Sequence, residues 1–576
     1  MKILKNADST NRVPMLRTLL MAATVCSLLT IPTAWNTRHD LLPDGLSYLE
    51  VASNAAQGGI SWLLTNAYWS PGYPALLALA LKIVHPPLTS ELAVIHWLAW
   101  VICTATYFSF TWFLLNLFRW IETTHGRVFG GRAGFAVMVL FAYSVVFAGN
   151  IEHDLWGGLA DTMAEGLVYL AAGLCIRLSL PYKGPRFIYH AALGVVLALT
   201  YLTKAAFFPL SCVLLAILFV RPLSQVEGRG GVVVAGVAFL VVASPLVVFL
   251  SHAKGHPTFG EAGGLAYARY VNEVPVWSIL WQDHLPGGGM LLHPARKLSS
   301  NPPIVKFEHF QSAWPLWYDA SYWWDGLKPH FDMREQVTRF LRSLALLPMT
   351  DEGYNVGYLV DRCIPMLAAL AAFLALGLRP RNTLAALGKH GWLLWWPAVA
   401  FLTFASTAIQ FRYLIPFWVM GWIALFLAAW IVIKPRRSVG ITLAVAVGIL
   451  LTNSRPFARE LLQITRAPAD DSVAAARKLE SLGIRQGDEV ATVGFPDWPY
   501  DYARIAGIQF ALELFGGGPG AKDVAPLSKL PAADVSRILA TLRANGAKAL
   551  FATGRPAFEN DTGWVHLTCD TYVRML

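Results

Sequence analysis

About eleven apolar runs of roughly 17–25 residues, each long enough to cross a hydrocarbon core, dominate this 576-residue chain. They lie near 14–34, 91–118, 134–150, 158–178, 187–203, 205–221, 232–251, 357–378, 391–409, 411–433 and 438–453. With 55% hydrophobic and only 14% charged residues, such a chain is a polytopic α-helical membrane protein, not a soluble globule. The connections alternate in charge. Arg119, Arg127 and Arg132, then Arg177, Lys183 and Arg186, then Arg221 and Arg229, then Arg379, Arg381 and Lys389, and finally Lys434, Arg436 and Arg437 fall on the side of the N-terminal Lys2, Lys5, Arg12 and Arg17. The positive-inside rule makes that side cytoplasmic, and an odd number of spans carries the C-terminus across. The net charge of +10 therefore belongs to topology, and no nucleic-acid partner is expected. The first run is long and lacks a clear small-x-small cleavage pattern, so a retained anchor is expected.

Two units follow. Residues 1–453 form a membrane domain with a first outer loop at 35–90 and a long outer loop at 252–356, and 454–576 turn soluble. The latter alternates helical patterns at 471–482 and 532–545 with strand-like 489–493 and 549–552, which reads as a small α/β domain outside the membrane. Gly516-Gly517-Gly518 follows no clear strand and opens no helix, so it reads as a turn and not a phosphate loop. Of six cysteines, Cys26, Cys103, Cys175, Cys212 and Cys363 sit in apolar spans, which gives neither a disulfide framework nor metal-type spacing.

Charge inside a span is costly, so its depth is informative. Glu91 and His96 begin the second span, Asp161 and Glu165 the fourth, Asp361 and Arg362 the eighth and Arg412 the tenth, while Lys204 sits where the fifth turns into the sixth. All lie at outer ends. A transporter usually keeps its site near the midplane; this pattern instead builds a polar cavity at the outer headgroup level, where a lipid's charged head would lie. The first outer loop adds Asp40 and Asp44 ahead of an amphipathic surface helix over 44–56, and Asp44 there could equally be the helix N-cap. Asp161 and Glu165, four apart, share a helix face behind the acidic loop Glu152-His153-Asp154. Converging carboxylates can divide labour, one taking a proton from a hydroxyl and the other orienting it or holding a metal. They could also simply satisfy Lys204 and Arg412, and those two could hold a phosphate. In the long outer loop, Tyr267-Ala268-Arg269-Tyr270 and the aromatic run containing Tyr318 and Asp319 suit stacking on sugar faces, with lipid anchoring as the alternative for Trp323 and Trp324.

Three segments, Pro43-Asp44-Gly45-Leu46-Ser47-Tyr48, Leu159-Ala160-Asp161-Thr162-Met163 and Leu202-Thr203-Lys204, resemble motifs of the GT-C type membrane glycosyltransferases, such as lipid A aminoarabinose transferases and protein O-mannosyltransferases. The whole chain is similar to a bacterial group of that type. The resemblance implies a GT-C-like fold in the cytoplasmic membrane, a polyprenyl-phosphate-linked sugar as donor, and inverting transfer to a hydroxyl of a lipid, glycan or protein acceptor outside the cytoplasm. It places the catalytic base on Asp44; the reading of the charges then sets Asp161 in support, with Asp40, Tyr48, Glu165, Lys204, Arg269, Arg412, Tyr318 and Asp319 expected around the substrates. No cofactor is named with certainty, and a divalent metal is left open. One departure matters: where those relatives carry a basic residue contacting the lipid phosphate, this chain reads Trp69-Ser70-Pro71-Gly72-Tyr73-Pro74. The phosphate then falls to Lys204, Arg412 or Arg269. The rival readings are a transporter or flippase of a lipid-linked sugar, an outer-face oligosaccharide ligase or polymerase, and a non-catalytic assembly protein.

Overall fold

The computed structural model describes residues 12–126, 128–150, 160–181, 186–222, 228–273, 295–307, 329–345, 366–374 without 369 and 373, 392–407, 409–432, 435–464, 471–493, 501–514, 527, 530–553, 558, 563–568 and 571–576. In chain order the helices of the membrane region are α1 (Arg12–Leu29), α2 (Ile31–Asn36), α3 (Pro43–Ala56), α4 (Ile60–Thr65), α5 (Gly72–Val84), α6 (Leu88–His125), α7 (Arg132–Asn150), α8 (Asp161–Ser179), α9 (Phe187–Thr203), α10 (Phe207–Val220), α11 (Gly228–Lys254) and α12 (Ala262–Tyr270). A hairpin of β1 (Ala295–Ser300) and β2 (Pro303–Phe307) follows, then α13 (Met333–Leu344), α14 (Trp392–Ala405), α15 (Phe411–Val432) and α16 (Pro435–Gln463). The C-terminal part holds α17 (Asp471–Ser481), β3 (Glu489–Val493), α18 (Asp501–Ala506), β4 (Gln509–Leu514), α19 (Ala532–Ala544), β5 (Ala549–Thr553), β6 (Trp564–Thr568) and β7 (Thr571–Met575).

Seven helices among the described residues are long and apolar enough to cross a membrane, and four shorter apolar ones, Gly72–Val84, Phe187–Thr203, Phe207–Val220 and Leu394–Ala405, accompany them. Three of these four coincide with expected spans; the expected span at 357–378 lies largely outside the described residues. Gly72–Val84, within the first outer loop, buries Tyr73, Leu77 and Leu81 and exposes Leu79, Ile83 and Val84.

Helices in lipid gain little from hydrophobicity against one another, so close packing at small residues and hydrogen bonds must hold them. Helix α8 shows both against α6. A Cβ on Gly166 would come 2.7 Å from Thr106 Oγ1, and one on Gly173 would come 2.6 Å from Trp112 Cδ1. Thr106 Oγ1 also donates to the Thr162 carbonyl at 2.8 Å. The first turn of α8, which carries Asp161, is thereby fixed against α6.

The C-terminal part is a seven-stranded sheet in the order β1-β2-β4-β3-β5-β7-β6. Its centre, β4-β3-β5, is parallel, and antiparallel pairs flank it on both sides. The β1-β2 hairpin comes from the long outer loop, so the sheet is not confined to 454–576. Ile304, Val305 and Lys306 pair with Leu514, Glu513 and Leu512, and Lys306 Nζ reaches Glu489 Oε2 at 2.7 Å. One continuous apolar core joins the sheet to the first loop: Leu41, Leu46, Leu49, Tyr73, Leu92 and Ile95 pack in the same cluster as Leu479, Tyr502, Ile505, Phe510 and Phe551. Interfaces that large and apolar do not slide freely.

Candidate active site

The site forms where four separate elements end at one level. Helix α3 begins at Pro43, whose fixed φ suits a first helical position, and Asp44 occupies the first turn. Leu42, not Asp44, is the N-cap, and no side chain caps the helix. The capping alternative for Asp44 therefore fails: its carboxylate turns to Arg412, whose Nη2 donates to Oδ2 at 2.9 Å. Arg412 opens α15, and its Nε lies 3.7 Å from Asp161 Oδ2. Lys204 stands at the break between α9 and α10 in extended conformation, and its ammonium donates to Asp161 Oδ1. Two carboxylates and two cations thus alternate as Asp44–Arg412–Asp161–Lys204, although the residues are spread over nearly 370 positions.

Aromatic rings wall this chain of charges. Lys204 Nζ sits 3.4 Å from the Tyr413 ring centre, and Arg412 Nη2 also donates to the Tyr413 hydroxyl at 3.2 Å. Tyr48, one turn beyond Asp44, packs edge-on to Trp69 and Tyr73 with ring centres 4.8 Å and 5.1 Å away. Burial, and then the charges of Asp161 and Asp44, push its phenol well above the ordinary range, so Tyr48 remains a proton donor. Tyr68 is raised likewise, by burial first and then by Asp44, while Arg269 opposes the shift. Arg269 ends α12, with its guanidinium 5.2 Å from the Tyr270 ring centre.

Arg412 is held from behind. Gln410 Oε1 accepts from Arg412 Nε at 3.0 Å, while Gln410 Nε2 donates to the Tyr270 hydroxyl at 3.3 Å. The preceding turn is anchored on α13: Gln336 Nε2 donates to the Ser406 carbonyl at 2.7 Å, and Arg339 Nε donates to that of Thr407.

The other candidates divide. Glu165 does not join the group; it is buried one turn deeper, where Oε1 accepts from the Tyr169 hydroxyl at 2.7 Å. Asp40 lies to one side, its carbonyl 2.7 Å from His96 Nε2 and its charge felt by Asp501. Tyr318 and Asp319 lie outside the described residues, as do Glu152-His153-Asp154, Asp361 and Arg362. Gln410 and Tyr413 escaped the sequence reading, though both neighbour the charge that revealed Arg412. Among the described residues no three His, Cys, Asp or Glu side chains converge as a metal site. Asp44 and Asp161 are the carboxylates a cation would meet, and Arg412 and Lys204 already match them.

No family model matches the chain, and no curated protein does. Solved structures do. ArnT from Cupriavidus metallidurans bound to undecaprenyl phosphate is 12% identical with a TM-score of 0.52, over 96% of this chain and 97% of that one. The Archaeoglobus fulgidus oligosaccharyltransferase in its apo form is 14% identical with a TM-score of 0.51, over 94% of this chain and 69% of that one. At such identities the likeness speaks for architecture: this chain has the GT-C membrane fold, sheet-bearing C-terminal part included.

Proposed function

We propose that this protein is a membrane glycosyltransferase that moves a sugar from a polyprenyl-phosphate donor to an acceptor hydroxyl at the outer face of the cytoplasmic membrane. The observation that carries this reading is the alternation of Asp44, Arg412, Asp161 and Lys204 at the ends of four elements beside apolar spans. One ArnT structure of this fold holds undecaprenyl phosphate, a ligand of the class proposed here. The basic connections would face the cytoplasm, and the C-terminal domain the other side.

In the proposed reaction Asp44 accepts the proton of the acceptor hydroxyl as its oxygen attacks the anomeric carbon. The bond from that carbon to the phosphate oxygen breaks, configuration inverts, and the lipid phosphate leaves as an anion without a general acid. A phosphate entering beside Arg412 and Lys204 competes with Asp44 and Asp161 for their cations, which releases Asp44 to act as a base. Arg412 offers a fork and Lys204 a point charge to the growing negative charge, with Arg269 as a further cation for the phosphate. Asp161 keeps the two cations in place before the donor arrives. Transfer so written needs no metal.

The test is reconstitution in nanodiscs with synthetic undecaprenyl-phosphate glycosides, following release of undecaprenyl phosphate. Asp44-dependent release is expected. Flux of the glycoside across proteoliposomes without release would favour a transporter instead.

A further inference from the structure

Beside the shared apolar core, the short helix α18 of the C-terminal domain makes polar contacts with the first loop. Asp501 and Arg504, three apart on α18, share a face toward the membrane region. Arg504 donates from Nε to Glu91 Oε2 at 2.9 Å, from Nη1 to Glu50 Oε2 at 3.2 Å and from Nη2 to Ser53 Oγ at 2.7 Å. Its Nη2 also lies 2.8 Å from Glu91 Oε2. Asp501 Oδ2 accepts from the Leu41 backbone N–H at 3.0 Å. Glu50, Glu91, Ser53 and Asp501 are all buried.

These partners are placed to control one helix. Leu41 lies one residue before the N-cap of α3, and Glu50 and Ser53 sit on the helix. Asp44 and Tyr48, four apart, share the face toward Arg412 and Tyr413, whereas Ser53 is nine residues beyond Asp44, roughly two and a half turns, and so on the opposite side. Glu91 adds a fixed reference, because it belongs to the first turn of α6. A hold before the helix and a second on its back leave it no freedom to roll, and rolling is the motion that would carry Asp44 off Arg412.

We infer that Arg504, with Asp501, is a positioning residue of the active site: the C-terminal domain sets the roll of α3 and thereby the aim of the Asp44 carboxylate. The inference rests on the proposed role of Asp44 as base. It assigns α18 a part in the reaction that acts through α3. A displacement near 1 Å at a reacting group can cost about a hundredfold in rate.

The experiment uses full-length protein in nanodiscs, with Arg504→Gln and Arg504→Lys. Hydrogen exchange over 41–56 reads the hold directly and needs no activity; it should quicken about tenfold or more in Arg504→Gln while α8 and α15 stay protected. Release of undecaprenyl phosphate from its glycosides should fall about tenfold to a hundredfold in kcat with KM for the glycoside within about twofold. Arg504→Lys, which keeps charge and loses the fork, should recover part of both. If Arg504→Gln does not accumulate, Glu50→Gln, which leaves Glu91 as partner, reads the same exchange. Unchanged exchange over 41–56, or full-rate release from a loosened segment, overturns the inference. Full-rate release by Asp44→Asn would instead remove the functional reading, and the exchange result would still decide whether α18 holds α3.

Discussion

Two groups of charges lie on the two sides of helix α3, and they are built to opposite ends. Around Asp44 and Asp161, two carboxylates meet two cations, and the Asp44 side chain keeps 38% of its surface exposed. Around Arg504, a single guanidinium serves two carboxylates and a hydroxyl, with Glu50 only 1% exposed. The first group is balanced, reachable and held by contacts that an incoming anion can replace. The second is saturated and shut. A site that must exchange partners during turnover needs the former, and an anchor needs the latter.

The largest effect separating them should be on stability. Arg504→Ala strands two buried carboxylates and should cost about 3–5 kcal/mol, whereas Lys204→Ala should shift thermal unfolding far less because Arg412 still faces Asp161. Equal losses in a melting assay would erase the distinction between anchor and site. Next in size, Arg412→Ala should lower transfer about 10²–10³-fold, as removal of a preplaced donor to developing charge does. Arg412→Lys, lacking the fork, should restore only part, and full restoration would mean that the bridge from Asp44 to Asp161 is immaterial. A smaller change is expected from Lys204→Met: a fall of about tenfold to a hundredfold in transfer at low donor, seen as weaker use of the lipid-linked sugar. Unaltered donor dependence would take Lys204 out of phosphate binding.

The smallest effect concerns pH. Burial, and then the charge of Asp40, raise the Asp501 carboxyl well above its usual range against the opposing Leu41 N–H. The folded state then binds its proton more tightly than the unfolded chain, so stability falls as pH rises from the ordinary carboxylate range toward the raised value. Asp501→Asn should remove that slope, a change of about 1.4 kcal/mol per pH unit at most. An identical pH dependence of unfolding in wild type and variant would show that Asp501 does not titrate in this window.

The same contrast explains what the sequence could disclose. Asp44, Asp161, Lys204 and Arg412 were legible because charge at the edge of an apolar run is rare, and ends of spans converge at one level in a bundle. Arg504 was not, because one arginine in a soluble segment rich in charges carries no sign of partners 454 and 413 residues away. Glu165 misled for a local reason: its spacing from Asp161 put both on one face, but that face runs on into the bundle, where Tyr169 takes the carboxylate. The hairpin of β1 and β2 was hidden likewise, since Pro303-Ile304-Val305-Lys306-Phe307 becomes a strand by pairing with β4, some 200 residues later. Residue chemistry marked the candidate site; only long-range packing could mark its support.

The central claim is that Asp44 is the base of a sugar transfer. The most direct measurement is complementation of a deletion strain with Asp44→Asn, scored by mass spectrometry of envelope glycans and glycoproteins beside the amount of protein in the membrane. The account predicts a missing sugar mass at normal membrane levels. An unchanged glycan profile from the complemented strain would contradict it.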